Sequence, residues 1–371
     1  MKYTRRDFGK FALGSIPVAT ALMAGRGVFA ADKPNSMING VQIGTITYSF
    51  RSMPDQSAEA TLRYVTESGI SAIELMNGPV WDYAQKRTNF TPPNSGRGGR
   101  GPGGAGRGPA PAPAADAKTG TWNGQTCTIS EGGGRGPGGG GRGQMTPEQM
   151  AAQKEAQDTT RKWQQGLSMD IFKDLRKMYN DAGVSMYAVK ILDINGTDED
   201  LDFQFTVGKT LGATHITTEL PGHSDTSTAN LKRAGDMALK HGMFAAYHSH
   251  LQGSITAFDE AFAASTGNKS NVDFGHYVAA GQVGGTPMDF LNRFHARIAS
   301  FHLKDRTLPE HCSLNLAWGQ GETPIKEILK LVQKNKWPIP ATIEQEYAIP
   351  ADSDAVKEVQ KCLAYCRAAL A

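Results

Sequence analysis

Short apolar runs alternate with amphipathic, helix-like stretches along most of this chain, and eight such runs occur. They cover residues 41–50, 70–76, 184–192, 214–220, 243–251, 271–277, 298–303 and 341–346. Helical periodicity falls between them, at 57–68, 169–182, 198–211, 228–241, 287–294 and 324–335. Gly69, Gly183, Gly212 and Gly242 follow four of these helices just before the next strand, where a left-handed cap is wanted. Strands alternating with helices predict a parallel α/β fold, and the count of eight predicts a closed (β/α)₈ TIM barrel. The rival architecture is a doubly wound open sheet. No GxGxxG follows the first strand, which weakens its dinucleotide-binding form.

One stretch does not fit the alternation. Residues 94–144 are dominated by Gly, Pro, Ala and Arg, including Arg97, Arg100, Arg107, Arg135 and Arg142. Such a segment buries too little apolar surface to offset its ordering entropy. It reads as an insertion after the second strand, between that strand and its helix, which in a barrel places it over the carboxyl-terminal face. The less degenerate island at 119–129, with Trp122 and Cys127, is the part expected to fold back on the barrel. Residues 145–166 read as a helix.

The first 30 residues differ again. Thr4-Arg5-Arg6-Asp7-Phe8-Gly9-Lys10 has the form of a twin-arginine export motif, followed by a mildly apolar stretch and Val28-Phe29-Ala30 before Ala31. Residues 1–30 are therefore expected to be a signal peptide and 31–371 the barrel domain, with an exported or periplasmic location and no permanent membrane anchor. Lys2, Arg5, Arg6, Lys10 and Arg26 against Asp7 give this segment +4 of the chain's net +3, so the remainder carries −1. A near-neutral body gives no reason to expect nucleic acid as a partner. Of the four cysteines, Cys362 and Cys366 share one helix face and read as core. Cys127 and Cys312 fall in loops, where an oxidising compartment permits a bridge that spacing alone cannot establish.

The informative feature is the placement of ionisable side chains. Glu219, His248 with His250, Asp273 with His276, His302 with Asp305, and Glu344 with Glu346 all fall at or near the carboxyl ends of five successive strands. The strand period of two turns His248 and His250 the same way, and likewise Glu344 and Glu346. A lone strand-end His or Glu is usually just hydrogen-bonded or solvated. Five in register around one barrel mouth point instead to a metal. A mixed imidazole and carboxylate set suits Mn²⁺, Co²⁺, Zn²⁺ or Fe²⁺ better than Ca²⁺.

These residues carry a family resemblance, covering about residues 40 to 370 apart from the insert. The run Phe301-His302-Leu303-Lys304-Asp305, then Gly319-Gln320-Gly321-Glu322 and Ile343-Glu344, resembles the last two strands of xylose isomerase-like TIM barrels. That sugar phosphate isomerase/epimerase superfamily includes tagatose epimerases, inosose isomerases and dehydratases, and endonuclease IV. Asp273 with His276 is similar to the sixth-strand motif of the epimerases. The resemblance implies a metal held by Asp273, His302 and Glu344. The fifth strand departs, with His248 where the epimerases carry a glutamate. Either His248 replaces that ligand, or Glu219 supplies the carboxylate with His250 nearby.

The expected chemistry is proton abstraction beside a carbonyl, with the metal as Lewis acid. His250, His276, Glu74 and Lys304 are the candidates for binding or proton transfer. Returning the proton to carbon gives isomerisation or epimerisation, and expelling a β-substituent gives elimination. The second outcome matches relatives that cleave 3-keto-glycosides after a partner oxidoreductase has made the ketone. The substrate class is accordingly a sugar or keto-glycoside, with homo-oligomerisation left open. The rival functions are a non-catalytic periplasmic sugar-binding barrel and a metal-dependent phosphodiesterase or endonuclease, which needs more ligands and a basic surface.

Overall fold

The computed structural model describes residues 33–93, 119–128 and 146–371. The expected export segment and most of the expected insert lie outside the described residues. Eight strands run parallel in chain order: β1 (Val41–Ile46), β2 (Ala72–Met76), β3 (Ser185–Lys190), β4 (His215–Glu219), β5 (Phe244–His248), β6 (Asn268–Asp273), β7 (Ile298–Leu303) and β8 (Ala341–Ile343). Each pairs with the next, and β8 returns to β1 through Ala341↔Ile43 and Ile343↔Thr45, so the sheet closes. This is the expected (β/α)₈ barrel.

Local chemistry sets the element ends. The helix Asp198–Leu211 opens on a capping box in which Thr197 and Asp200 satisfy each other's backbone N–H, and it closes on Gly212 at φ +88°. The helix Asp225–His241 closes the same way on Gly242 at φ +68°. Outward-facing strand residues pack on the helices. Behind the late strands, Phe258, Phe274, Phe290 and Phe301 form an aromatic cluster, with Phe274 and Phe301 centroids 5.4 Å apart. Phe274 follows Asp273 and Phe301 precedes His302, so this cluster fixes the backbone that carries two of the candidate ligands. Truncating either ring would cost about 3–5 kcal/mol.

Three expectations need correction. The sixth strand begins at Asn268 and ends at Asp273, whose side chain caps the short helix Phe274–Ala279 by accepting from His276 N at 2.8 Å. His276 is thus a helical residue; the apolar run 271–277 spans a strand end and a helix start, which periodicity does not separate. Glu74, expected among the groups for binding or proton transfer, sits in the middle of the second strand with its side chain inside the barrel. The helix Asn77–Thr88 follows β2 directly, so the insert lies after that helix rather than before it.

The island in the insert forms a hairpin, Thr119–Trp122 with Gln125–Thr128, joined by Asn123-Gly124 with both residues at positive φ. It docks on the loop after β7: Cys127 and Cys312 are disulfide-bonded, and the Trp122 and His311 rings lie 5.2 Å apart. Cys362 and Cys366 are buried in the terminal helix Ala355–Leu370, as core residues. Among the described residues, no helix is long and apolar enough to cross a membrane.

Candidate active site

Four side chains from four neighbouring strands meet at the carboxyl-terminal end of the barrel. His248 ends β5, Asp273 ends β6, His302 lies one residue before the end of β7, and Glu344 follows β8. One potential ligand atom from each lies within 4.8 Å of the others, and all four residues are buried. The pleat explains the convergence. Val272, Phe301 and Ile343 turn outward into the apolar core, so Asp273, His302 and Glu344 turn inward.

The hydrogen bonding leaves this group incomplete. His248 Nδ1 and Asp273 Oδ2 are buried with no hydrogen-bond partner. His248 Nε2 approaches Asp273 Oδ2 only to 4.0 Å. Unpaired buried polar atoms are costly, and a cluster of imidazoles and carboxylates left incomplete in this way fits a bound divalent cation. His302, in contrast, is held on both sides: Nδ1 lies 2.7 Å from Glu344 Oε2, and Nε2 lies 2.7 Å from Glu74 Oε2. Glu74 also accepts from Thr217 Oγ1 at 2.6 Å and from Asn271 Nδ2 at 3.2 and 3.0 Å.

A second set of groups rings the four. The Lys304 ammonium sits among three carboxylates, 3.0 Å from Asp273, 3.0 Å from Glu344 and 2.6 Å from Glu346. Its contact with Asp273 Oδ2 is an ion pair outside hydrogen-bond geometry, which is why that oxygen remains without a hydrogen bond. Lys304 Nζ is also 3.1 Å from His276 Nε2, while Arg306 donates to His276 Nδ1 at 2.6 Å. His250 stands at the rim, 52% exposed, with its Nε2 3.4 Å from Glu219. Glu219 is 49% exposed and binds Lys190 at 2.6 Å. His248, His250 and His276 also bring ligand atoms within 4.8 Å of one another. The Arg306 and Lys304 cations against His276 make that trio a poor place for a metal.

Burial and charge set the protonation states. Burial alone would push His302 down, but the Glu74 and Glu344 carboxylates outweigh it and raise the imidazole to about 10. Burial would likewise raise Glu74, yet His302, Lys190 and Thr217 bring it down to about 2. Burial and then the His302 charge hold His248 well below the ordinary histidine range. Burial, with Lys304 and Arg306, does the same to His276. Lys304 is raised, its three carboxylates overcoming burial. Burial raises Asp273 despite Lys304, whereas Lys304 and His302 overcome burial to keep Glu344 well below the usual carboxylate range.

The structure thus sorts the sequence candidates. It gathers His248, Asp273, His302 and Glu344, and it leaves Glu219 at the rim, outside that group. His250, His276 and Lys304 line the mouth. Glu74 lies beneath His302 with every lone-pair direction engaged, and is buried too deeply to touch a ligand in the mouth. Asp305 does not reach the cluster: it accepts from Gly319, Gly321 and Thr323 N at 2.7, 2.9 and 3.2 Å, shaping the Gly-Gln-Gly-Glu loop. A side chain on Gly321 would collide with that carboxylate. Thr217, Asn271 and Arg306 went unnoticed as site residues. Thr217 and Asn271 lie two residues before Glu219 and Asp273, on the same strand faces, so the period of two could have found them.

The chain matches no family model, and no curated protein matches it. Solved structures do share its fold. A xylose isomerase domain protein from Alicyclobacillus acidocaldarius superposes with a TM-score of 0.56 at 12% identity, covering 89% of this chain and 99% of that one. A sugar phosphate isomerase/epimerase from Parabacteroides distasonis gives 0.51 at 13%, covering 88% and 95%. A probable 3-DHS dehydratase involved in petrobactin synthesis, from Bacillus anthracis, gives 0.51 at 12%, covering 86% and 98%. The architecture is therefore similar to that of xylose isomerase-like barrels.

Proposed function

We propose that this chain is a metal-dependent enzyme that removes a proton from the carbon beside a carbonyl in a keto-sugar or keto-glycoside. The observation that carries the reading is the buried quartet His248, Asp273, His302 and Glu344, with His248 Nδ1 unpaired and Asp273 Oδ2 held only by the Lys304 ion pair. These four would hold the ion. A Mn²⁺, Co²⁺, Zn²⁺ or Fe²⁺ ion there supplies Lewis acidity to a ketone and its neighbouring hydroxyl. The surrounding side chains supply the proton chemistry. His250, the most accessible imidazole of the site and steadied by Glu219, takes the proton from carbon. Lys304, charged and held among Asp273, Glu344 and Glu346, returns one.

Delivery of that proton to a leaving-group oxygen gives elimination; delivery to carbon gives isomerisation or epimerisation. Elimination is the favoured outcome. Strand β5 ends in His248 rather than a carboxylate, and Glu219 stands outside the quartet, so no second carboxylate base faces the metal position from that side. The proteins of similar fold include one for each outcome, a probable dehydratase and an isomerase/epimerase. Export through the twin-arginine motif would bring the enzyme to glycosides and free sugars, with a separate oxidoreductase making the ketone. The Cys127–Cys312 disulfide supports an oxidising compartment.

The test is incubation of the Mn²⁺- or Co²⁺-supplemented protein with a 3-keto-glucoside and with its parent glucoside. Release of aglycone from the keto compound alone is expected. Equal release from both, or none from either together with no isomerised product from any keto-sugar, contradicts the reading.

A further inference from the structure

Beneath the quartet, the barrel interior contains a chain of polar side chains whose proton directions can be worked out one by one. Asn271 Nδ2 donates to Glu74 at 3.2 and 3.0 Å, which leaves Asn271 Oδ1 to accept from Ser300 Oγ at 2.7 Å. Ser300 has one hydroxyl proton and has now used it. Its oxygen must therefore accept at the 2.9 Å contact with His215 Nε2. His215 is buried and neutral, its pKa pushed down to about 4 by burial, so a proton on Nε2 leaves Nδ1 bare. Nδ1 faces Thr214 Oγ1 at 2.9 Å, a hydroxyl that also lies 3.1 Å from Tyr187 O. Every link from His215 to Glu74 points the same way. Thr217 Oγ1 adds a further donor on Glu74 Oε1.

A carboxylate receiving this chain has only acceptor capacity, so at the 2.7 Å contact the proton belongs to His302 Nε2. Unliganded, both ring nitrogens face carboxylates and both carry protons; a ring that exchanges its Nδ1 proton for a bound cation keeps Nε2–H and holds its lone pair on Nδ1, the nitrogen on the Glu344 side. We propose that the chain His215, Ser300, Asn271 and Glu74 fixes the tautomer of His302 and so aims Nδ1 at the metal position. The proposal rests on the metal-centre reading above. Asn271 and Ser300 act as positioning residues, since neither is among the four that would hold the ion. Carboxylate partners of this kind orient a ligating imidazole and raise its basicity. Here their own orientation is set from two strands further round the barrel.

The test uses the full chain with uniformly ¹⁵N-labelled histidine, loaded with Zn²⁺. Ring-nitrogen shifts should show His302 protonated on Nε2 and metal-bound through Nδ1; the reverse assignment overturns the proposal. In parallel, Ser300→Ala should weaken Zn²⁺ and Co²⁺ binding about tenfold in chelator competition. Ser300→Thr, which keeps the hydroxyl, should bind like the unsubstituted chain. Undiminished affinity in a folded Ser300→Ala protein overturns the proposal. An unsubstituted chain that takes up no metal removes the metal-centre reading itself, and this inference with it. Metal uptake through the opposite nitrogen, or unaffected by Ser300→Ala, removes the inference alone.

Discussion

Glu74 Oε2 lies 2.7 Å from His302 Nε2, and neither residue has exposed surface. A carboxylate so enclosed cannot reach substrate, so its effect passes through the imidazole. Glu74→Gln keeps the shape and removes the charge. It should weaken metal binding by roughly 10- to 100-fold, measured by chelator competition. Unchanged affinity would show that the pair is only structural.

His248 and Glu219 offer a clean contrast. His248→Ala should abolish stoichiometric metal, because it removes one of four buried ligand atoms. Glu219→Ala should retain the metal and alter only turnover or KM, since Glu219 contacts Lys190 and His250 at the rim. Metal analysis of the two purified variants decides the point, and the opposite pattern would return Glu219 to the ligand set.

Much of this site was legible in the sequence because a barrel gathers whatever its strand ends carry. Position put Asp273, His302 and Glu344 among a wider set of strand-end candidates, and the family resemblance singled them out. His248 and Glu219 could not be separated, because each ends a strand and the difference is made by Lys190 drawing Glu219 away from the centre. Glu74 was grouped with the acid/base candidates for a related reason. A charged residue in mid-strand is unexpected unless its partners are known, and Thr217, Asn271 and His302 come from three other strands. Strand six was read three residues late because Asn271 to Tyr277 is apolar enough to pass as one element. The disulfide joins residues 185 apart, which no spacing rule could pair.

Lys304 already neutralises the carboxylates among which a metal would sit. Lys304→Met should therefore destabilise the metal-free protein by about 3–5 kcal/mol, the cost of leaving buried charge unpaired. Added Mn²⁺ should recover part of that loss. Activity should stay at least about 100-fold down if the ammonium is a proton donor. Thermal unfolding with and without Mn²⁺, alongside turnover, separates the two effects.

His215 gives a pH dependence independent of the metal. Its folded pKa of about 4 lies below the ordinary value of 6.5, so the unfolded chain binds the extra proton between them. Its stabilising contribution is complete above pH 6.5 and is lost as pH falls through 4, in all about 3 kcal/mol. Denaturant midpoints should fall with acidification more steeply in the unsubstituted protein than in His215→Gln. Parallel curves would mean that the imidazole is not held neutral.

The most direct measurement is metal stoichiometry after equilibrium dialysis of the purified protein against Mn²⁺, Co²⁺ or Zn²⁺, with Asp273→Ala and His302→Ala alongside. One tightly held ion per chain, absent from both variants, is the expected result. A folded protein that takes up no ion, or variants that retain it in full, would contradict the metal centre and leave a sugar-binding barrel as the better account.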